Sequence, residues 1–328
     1  MLTTELQPGE KFEFFRIDAL AIRTSMTTIY RATDLRTGEL VAIKIPHPEL
    51  ECDPIFYSRF QREILIGKKL HHPGVVRTLA SDDFDHLCIV MEWVDGRFLR
   101  EAIAKQGKLP AERAVRIAIN VCDALEYIHS QGVVHRDLKP ENIMVGEDDS
   151  IKLIDFGISG AEGARRLTFS KLSNAMGTPD YISPEQIKRR HADARSDVYA
   201  LGVILYEMLT GRTPFDGPNP IAVMNDRLVN EPPPPREINS EISTELQEII
   251  FRALERDPEI RYASASKFAE DLAHPENVEV TDRSARQSQS AKRIWNLVPS
   301  VKRVLSYAMF LIISVVIFTL VLLAARSK

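Results

Sequence analysis

The feature that most constrains this sequence is an uncharged run of 22 residues, from Val304 to Ala325. Ile, Leu, Val and Phe make up most of the run. As an α-helix it would be roughly 33 Å long, which matches a bilayer hydrocarbon core of about 30 Å. A buried core helix of this length normally carries a polar stripe, and this run has none. We therefore expect one transmembrane helix at 304–325.

Basic residues flank the run on both sides. Four precede it and two follow it: Lys292, Arg293, Lys302, Arg303, Arg326 and Lys328. The excess of Lys and Arg on the N-terminal side predicts that the body of the protein lies in the cytoplasm. Only three residues follow the run, so we expect a C-terminal anchor. Residues 275–303 are rich in Ser, Gln and charges without an apolar period, which predicts a flexible juxtamembrane linker.

Charge and cysteine content argue against nucleic-acid binding, a disulfide framework and a zinc site. The formal net charge is −4 and the isoelectric point about 6.1, which argues against a nucleic-acid-binding protein. The tail 276–328 has three acidic and eight basic residues, so the remaining body is the acidic part. The three cysteines, Cys52, Cys88 and Cys122, are widely spaced and form no CxxC pair. They predict neither a disulfide framework nor a zinc site.

The apolar pattern changes from strand-like to helical along the chain. Runs of β-branched and aromatic residues predict strands at 12–17, 28–32, 40–45 and 87–91. Between them, Asp53 to Leu70 is typical of a helix, with Asp53 as N-cap and Pro54 in the first turn. Helices dominate beyond about residue 96, for example at 112–129. The pattern predicts an α+β body over 11–274, with a small β-rich lobe at about 11–92 and a larger helical lobe at about 96–274.

Four short motifs follow one another in a fixed order. They are VAIK at 41–44, HRDLKPEN at 135–142, DFG at 155–157 and SPE at 183–185. Each is weak alone, but together they form a protein-kinase signature. From about Phe12 to Leu272 the chain resembles eukaryotic-like protein serine/threonine kinases, particularly the bacterial ones. The resemblance implies a bilobal protein-kinase fold and the transfer of the γ-phosphate of ATP to Ser or Thr hydroxyls of proteins.

The resemblance also assigns catalytic roles. Asp137 would orient the substrate hydroxyl and accept its proton, and Lys139 would neutralise charge on the γ-phosphate. Asn142 and Asp155 offer oxygen ligands for Mg²⁺, with Mn²⁺ as an alternative. Lys44 would hold the α- and β-phosphates of ATP, with Glu63 as its acidic partner. Three further residues match structural positions of the family: Glu185 and Arg261 as a buried ion pair, and Asp197 as a brace of the catalytic loop.

The nucleotide pocket is implied in the same way. Backbone groups of Glu92 and Val94 would bind adenine, Met91 would line the back of the pocket, and Ile29, Ala42 and Met144 would sandwich the base. Here the sequence departs from the family, because the glycine positions of the phosphate-covering loop hold Ile22, Thr24 and Thr27. Glycine lets the backbone come close to phosphate, so we expect altered ATP binding, in which Thr27 donates a hydroxyl or backbone N–H.

This departure keeps an alternative open, namely a membrane-tethered pseudokinase that acts as an interaction module. The retained Lys44, Glu63, Asp137, Lys139, Asn142 and Asp155 favour an active kinase over it. A small-molecule phosphotransferase is a third hypothesis, which the SPE motif at 183–185 disfavours.

The HRDLKPEN motif resembles the serine/threonine class rather than the tyrosine class. Arg136 indicates control by phosphorylation of the activation loop, because an arginine can pair with a nearby phosphate. The phosphorylation candidates are Thr168, Ser170, Ser173 and Thr178. We expect self-association on the membrane to favour trans-autophosphorylation. The bacterial resemblance makes the inner membrane the expected location, with protein substrates as the partners.

Overall fold

The computed structural model describes residues 5–80, 84, 86–155 and 179–281. The chain divides into two units, Met1–Glu279 and Val280–Lys328, and nearly all of the second lies outside the described residues. The predicted transmembrane helix and most of the predicted linker lie there as well. No helix of the described residues is long and apolar enough to cross a membrane.

A six-stranded antiparallel sheet forms the first part of the chain, in the order β1-β2-β3-β4-β6-β5. Its strands are β1 Lys11–Phe12, β2 Phe15–Arg23, β3 Thr27–Asp34, β4 Leu40–Pro46, β5 Thr78–Ala80 and β6 Ile89–Glu92. Alternate residues of β2, β3 and β4 are buried together with Cys88 and Val90. The sheet therefore has its own apolar core, to which alternate strand residues contribute because successive side chains point to opposite faces.

The first predicted strand is wrong in one respect. The sequence predicted a single strand over 12–17, whereas β1 ends at Phe12 and β2 begins at Phe15. Glu13 has a left-handed φ of 52°, and Phe12 pairs with Phe15 across the turn. Both phenylalanines are buried, so the apolar pattern continues through the turn and does not reveal it.

Two helices lie between β4 and β5: α1 (Pro48–Glu51) and α2 (Pro54–Lys69). The Asp53 side chain accepts hydrogen bonds from the N–H groups of Ile55 and Phe56, at 2.8 and 3.3 Å. This N-cap satisfies amide groups that the first turn of a helix leaves unpaired. Phe60 and Ile64 of α2 pack against Ile89 of β6. That contact turns one face of α2, which carries Glu63, toward the sheet.

Helices dominate the second part of the described chain. They are α3 Leu99–Gln106, α4 Ala111–Ser130, α5 Pro184–Ile187, α6 Ala194–Thr210, α7 Pro220–Val229, α8 Pro235–Ile238, α9 Thr244–Ala253 and α10 Ala265–Ala273. Helix α6 is buried along almost its whole length. A Cβ atom on Gly202 would come within 2.8 Å of the Ala253 Cβ, so glycine permits the close approach of α6 and α9. Helices α3, α4, α6, α9 and α10 share one apolar core, and the predicted two-lobed α+β fold is confirmed.

A small three-stranded sheet brings the motifs together. Its strands are β7 Arg97–Phe98, β8 Ile143–Val145 and β9 Ile151–Leu153, in the order β7-β8-β9. A 3₁₀ turn at Pro140–Asn142 precedes β8, and Asp155 follows β9. Since β8 and β9 are antiparallel, the start of β8 and the end of β9 lie side by side.

Candidate active site

Lys44 connects the two parts of the site. It lies on β4 between Ile29 of β3 and Ile89 of β6, and its ammonium group lies 2.7 Å from Glu63 Oε1 on α2. The same ammonium group is in direct contact with the carboxylate of Asp155. Lys44 and Glu63 are only 4% and 7% exposed. One cation thus binds two carboxylates that come from distant parts of the sequence.

The charges of this cluster shift the pKa values of its members. Burial raises the pKa of Glu63 to about 7, although Lys44 opposes the shift. Burial favours the neutral form of Lys44, but the carboxylates of Asp155 and Glu63 outweigh it and raise the pKa of the ammonium group. Burial also disfavours the charged form of Asp155, yet Lys44 keeps its pKa below the ordinary value. The cluster therefore keeps a charged lysine in a buried position.

In the catalytic loop, residues 135–142, both Lys139 and Asn142 lie within hydrogen-bond distance of Asp137. Lys139 Nζ lies 2.8 Å from Asp137 Oδ2. Asn142 donates from its amide nitrogen to the Asp137 carbonyl oxygen at 2.8 Å. The Ile154 N–H donates to the Asn142 carbonyl oxygen at 3.0 Å. That last bond joins the turn before β8 to the residue just before Asp155, so the two predicted metal ligands lie on neighbouring segments.

Asp197, near the start of α6, holds the backbone of the catalytic loop by hydrogen bonds. Its carboxylate accepts hydrogen bonds from the backbone N–H groups of His135 and Arg136, both at 2.8 Å. It also lies 2.8 Å from His129 Nε2. Arg136 has a left-handed φ of 63°, an unfavourable conformation for a residue with a Cβ atom. The two bonds from Asp197 hold the backbone where this conformation occurs.

The predicted adenine contacts lie on the strands of the first sheet and on β8, and three of them, Glu92, Val94 and Met144, line one cavity. Ala42 of β4 pairs with Met91 of β6, and Ile22 of β2 pairs with Ile29 of β3. Glu92 ends β6, Val94 follows it, and Met144 lies in the middle of β8. All of these side chains are half-buried: Ile22, Ile29, Ala42, Met91, Glu92, Val94 and Met144. The half-buried apolar side chains among them, with Val94 and Met144 at the cavity, are suited to contact a flat base.

A threonine turn closes the loop that lacks glycine. The Thr24 hydroxyl accepts hydrogen bonds from the N–H groups of Met26 and Thr27, at 3.2 and 2.9 Å, and Thr24 N–H donates to the Thr27 carbonyl oxygen at 2.9 Å. Thr27 is buried, and its N–H is engaged inside the turn. Phosphate contact from Thr27 N–H, which the sequence suggested, would require this turn to rearrange. Arg23 at the end of β2 pairs with Glu5 at 2.9 Å.

Glu185 and Arg261 form a buried ion pair beside α6. The two guanidinium nitrogens of Arg261 lie 2.8 and 2.6 Å from the Glu185 carboxylate oxygens. Ser196 donates to the same carboxylate at 2.7 Å. Burial disfavours the charged carboxylate, but the hydrogen bonds from Arg261 keep the pKa of Glu185 below its ordinary value. This pair connects the SPE motif to the segment before α10.

Sequence reasoning missed several residues of this region. Arg100 of α3 binds Glu207 of α6 and Glu141 of the catalytic loop, at 2.6 and 2.8 Å. Arg227 of α7 is fully buried, and His129 of α4 contacts Asp197. Isolated charges on helices are normally solvated, so the sequence offers no signal that distinguishes these. His129 alone has a local clue, since it lies close before the HRD motif.

The donor set suits a divalent cation held with a phosphate-bearing ligand. No three His, Cys, Asp or Glu side chains form a complete metal cage among the described residues. Mg²⁺ usually keeps waters and takes phosphate oxygens, so one or two protein ligands suffice. Because the amide nitrogen of Asn142 is bonded to Asp137, its amide oxygen is the atom that would bind a cation. Asp155 would supply the carboxylate oxygen.

Comparison with known protein families shows to which family the chain belongs. A family model described as "Protein kinase domain" matches residues 24–275. The chain belongs to the protein kinase domain family. The match covers the Lys44 strand, the catalytic loop, the Asp155 segment and Arg261, and so includes every predicted site residue except Ile22.

Two similar curated proteins are named as bacterial serine/threonine kinases. The chain is 41% identical over 255 residues to the probable serine/threonine-protein kinase SCO3848 of Streptomyces coelicolor, covering 76% of this chain and 38% of that protein. It is 35% identical over 283 residues to the serine/threonine-protein kinase PknB of Mycobacterium tuberculosis, covering 85% of this chain and 45% of that one. The chain thus spans less than half the length of these relatives.

Solved kinase structures are similar as well. The kinase domain of Mycobacterium tuberculosis PknI matches with a TM-score of 0.65 and 26% identity, covering 83% of this chain and all of that domain. Rad53 1–466 in complex with AMP-PNP matches with a TM-score of 0.66 and 29% identity, covering 80% of this chain and 65% of that one. The predicted phosphorylation candidates Thr168, Ser170, Ser173 and Thr178 lie outside the residues described here, as do Phe156 and Gly157.

Proposed function

We propose that this protein is an ATP-dependent serine/threonine protein kinase that phosphorylates Ser and Thr hydroxyls of protein substrates. One observation carries the proposal: the buried Lys44 ammonium group binds Glu63 and Asp155 together, at 2.7 Å for Glu63. This contact joins the sheet, helix α2 and the segment after β9 in one cluster. Asp137 and Asn142 lie on the loop beside it, joined at 2.8 Å.

The chemistry follows from these positions. Phosphoryl transfer passes through a loose transition state, so catalysis depends mainly on positioning and charge. Asp137 orients the substrate hydroxyl and accepts its proton, while Lys139, 2.8 Å from Asp137, brings a positive charge to the phosphate side. Lys44 holds the phosphates of ATP. Asn142 and Asp155 would hold Mg²⁺ or Mn²⁺, and that ion would supply positive charge to neutralise the phosphates.

The pseudokinase hypothesis explains less. It rests on the missing glycines of the phosphate-covering loop. In that loop, however, the Thr24 hydroxyl closes a turn by accepting hydrogen bonds from two backbone N–H groups. That loop covers phosphate and supplies neither the base nor a metal ligand. A binding module would have no need for a catalytic aspartate bonded to both Lys139 and Asn142. The active kinase is therefore the function we propose.

A direct test uses γ-³²P-labelled ATP with Mg²⁺ and the full chain in detergent. The wild type is expected to label itself or a generic protein substrate, and Asp137→Asn is expected to lose about two to four orders of magnitude in rate, as removal of a general base does. Asp148→Asn, at an exposed position on the β8–β9 turn, is the matched control and should keep full activity. Equal labelling by the wild type and Asp137→Asn would contradict the proposal.

Regulation by autophosphorylation is part of the same proposal. Arg136 precedes the catalytic aspartate and donates to the Ala192 carbonyl oxygen at 3.3 Å, which places its guanidinium group close to the segment before α6. An arginine there can pair with a phosphate on the activation loop. Candidate acceptors are Thr168, Ser170, Ser173 and Thr178. Phosphopeptide mapping of an active preparation should find at least one of them modified, and a rate that rises with protein density on liposomes would support reaction between neighbouring molecules.

We also propose that residues 304–325 cross a membrane as a single helix, with the kinase domain on the cytoplasmic side. The 22 uncharged residues and the basic residues that precede them support this placement. A kinase tethered in this way meets its substrates at the membrane surface. The bacterial relatives make the inner membrane the expected location.

A further inference from the structure

A cavity of about 580 Å³ lies beside the catalytic loop. One wall is Glu141, four residues after Asp137, and another is Tyr181, which lies just before the SPE motif. The other walls come from α6 and the segment that follows it, through Glu207, Arg212 and Asp216. The cavity is therefore bordered both by the loop that carries the catalytic aspartate and by the segment that leads into α5.

A protein substrate would reach this cavity. The four residues from Asp137 to Glu141 cannot span more than about 14 Å, since an extended chain advances at most about 3.6 Å per residue. An extended substrate with its hydroxyl at Asp137 covers the same distance with its neighbouring residues. A side chain within about four positions of the phosphorylated Ser or Thr can therefore come next to Glu141.

The cavity already contains a bound guanidinium group, that of Arg100. Arg100 Nε lies 2.8 Å from Glu141 Oε1, and another of its nitrogens lies 2.6 Å from Glu207 Oε1. The third nitrogen donates to the Tyr181 hydroxyl, which in turn donates to Glu207 Oε2 at 2.5 Å. Each of the three guanidinium nitrogens of Arg100 thus donates to a different acceptor, two of them carboxylates and one a phenol.

The charges at this position are strongly coupled. Burial disfavours the charged form of Arg100, but the hydrogen bond from Arg100 to Glu207 outweighs it and raises the pKa of the guanidinium group. Burial and the Glu207 carboxylate together raise the pKa of Tyr181. The side chain of Glu207 is only 7% exposed, whereas that of Arg100 is 33% exposed and that of Glu141 is 47% exposed. The arginine therefore lies between a buried acid and one that is open to a substrate.

We propose that Arg100 is a specificity-determining residue of this kinase. It occupies the guanidinium-binding position between Glu141 and Glu207, so a basic residue of the substrate gains nothing there. The inference rests on the proposed kinase function and adds the substrate class to it: peptides that need no arginine or lysine near the phosphorylated residue. Removal of Arg100 exposes both carboxylates and converts the position into a site for a substrate arginine.

The test uses synthetic peptides with one central Thr, in which each position from −5 to +4 is in turn Arg, Ala or Glu. The full chain in detergent, as wild type and as Arg100→Ala, is assayed for kcat/KM on each peptide. The wild type is expected to treat Arg and Ala peptides within about threefold of each other at every position. Arg100→Ala is expected to gain a preference for Arg of about tenfold at one position, mainly through KM, as a new charge-assisted contact gives.

Two further variants separate specificity from a structural role. Arg100→Ala combined with Glu141→Gln should lose the gained preference, because the exposed carboxylate is then absent. Arg100→Lys should restore a wild-type profile in large part, since it keeps the positive charge. Lys105→Ala, at an exposed position of the same helix, is the control and should leave the profile unchanged. If the alanine variant does not fold, Arg100→Met, which keeps the aliphatic stem, replaces it. This variant should gain the same preference for Arg peptides.

The outcomes are distinct. An Arg preference in the wild type would overturn the inference while leaving the kinase function intact. The same holds if the ratio of kcat/KM for Arg and Ala peptides in Arg100→Ala and Arg100→Met stays within twofold of the wild type. A wild type that phosphorylates no peptide and does not label itself would overturn the proposed function, and the inference with it.

Discussion

Lys44 donates to Glu63 across 2.7 Å inside the first lobe, and both side chains are almost fully buried. The pair connects strand β4 to helix α2, and the contact between Lys44 and Asp155 extends it to the loop after β9. A buried ion pair contributes less to stability than its distance suggests, because desolvation opposes the attraction between the charges. Its position beside the catalytic loop indicates that it serves to place the ammonium group.

The first prediction concerns this cluster. Lys44→Met should lower kcat/KM for ATP by about two to three orders of magnitude, because a fixed cation near transferring phosphate is removed. Glu63→Gln should have a smaller effect, since it keeps the ammonium group and loses only one of its two partners. Steady-state kinetics with varied ATP would measure both. Lys105→Met is the control for loss of a lysine, and an unchanged rate in Lys44→Met would contradict the role given to Lys44.

The second prediction concerns the loop that has no glycine. Thr24→Ala removes the acceptor of two backbone N–H groups, and each such bond is worth about 0.5–1.5 kcal/mol. The loop should become less ordered, and KM for ATP should rise by about three- to tenfold while KM for a peptide substrate stays constant. Ser25→Ala, next to it and exposed, is the matched control. If both variants had the same KM for ATP as the wild type, Thr24 would not organise this loop.

The third prediction concerns stability and pH. Arg261 keeps the pKa of Glu185 below its ordinary value of 4.5, against the opposing effect of burial. A carboxylate whose pKa is lower in the folded state than in the unfolded state stabilises the protein at pH values above the unfolded-state pKa. This contribution is lost as the pH falls through the folded-state pKa. At pH 7, Glu185→Gln should therefore cost about 3 kcal/mol or more, because it leaves Arg261 buried without its anion.

Urea unfolding of the full chain in detergent would measure this difference at several pH values. The difference in free energy of unfolding between the wild type and Glu185→Gln should be constant above about pH 5.5 and should shrink below pH 4.5. Glu259→Gln, which removes an exposed acid paired with Arg195, should give a gap near zero at every pH. If this difference in free energy became larger at acidic pH for Glu185→Gln, the pKa of Glu185 would not be lowered in the folded state.

Local spacing explains which parts of the site could be predicted from the sequence. Asp137, Lys139 and Asn142 lie within six consecutive residues, so one short turn sets their mutual geometry. The Asp53 cap was predictable for the same reason, since its bonds reach only two and three residues along the chain. The turn at Glu13 was not, because the burial of Phe12 and Phe15 continues the apolar pattern through it.

Contacts between distant residues had no such signal. Arg100 and Glu207 are 107 residues apart. Arg100 resembles an ordinary solvated charge on an amphipathic helix, and the apolar run around Glu207 does not say which cation it meets. Only the packing of α3 against the catalytic turn and α6 makes them partners. The same holds for Arg227, whose burial depends on the position of α7. Sequence patterns predict which face of a helix is apolar, but they do not predict which buried polar groups meet.

The fourth prediction follows from Arg227. Its guanidinium group is fully buried, donates to the Ile182 carbonyl oxygen at 2.8 Å and to that of Asp180, and lies over the ring of Phe215. Burial lowers its pKa, which reflects the cost of a charge in this position. Arg227→Met removes that cost but leaves two carbonyl groups without this donor, so we expect a net loss of about 2 kcal/mol or more in urea unfolding.

Arg227→Lys separates the charge from the geometry. A single ammonium group cannot reproduce the planar fork that reaches both carbonyl groups, so it should be nearly as destabilising as Arg227→Met. Both variants should also raise KM for a peptide substrate more than KM for ATP, because Asp180 borders the cavity beside the catalytic loop. Full recovery of stability by the lysine would mean that charge alone matters at this position.

The last prediction concerns the uncharged run at 304–325. If it crosses the membrane as a helix, the wild-type chain should stay in the membrane fraction after alkaline carbonate extraction. Ile312→Arg combined with Ile317→Arg places two charges near the centre of the run, at a cost of about 2.5–3.5 kcal/mol each. This double variant should be released, whereas Ile312→Leu with Ile317→Leu, which keeps the run apolar, should be retained. Because the described kinase residues are unchanged, the released protein should still label a soluble peptide. Retention of the arginine variant after extraction would exclude the proposed span.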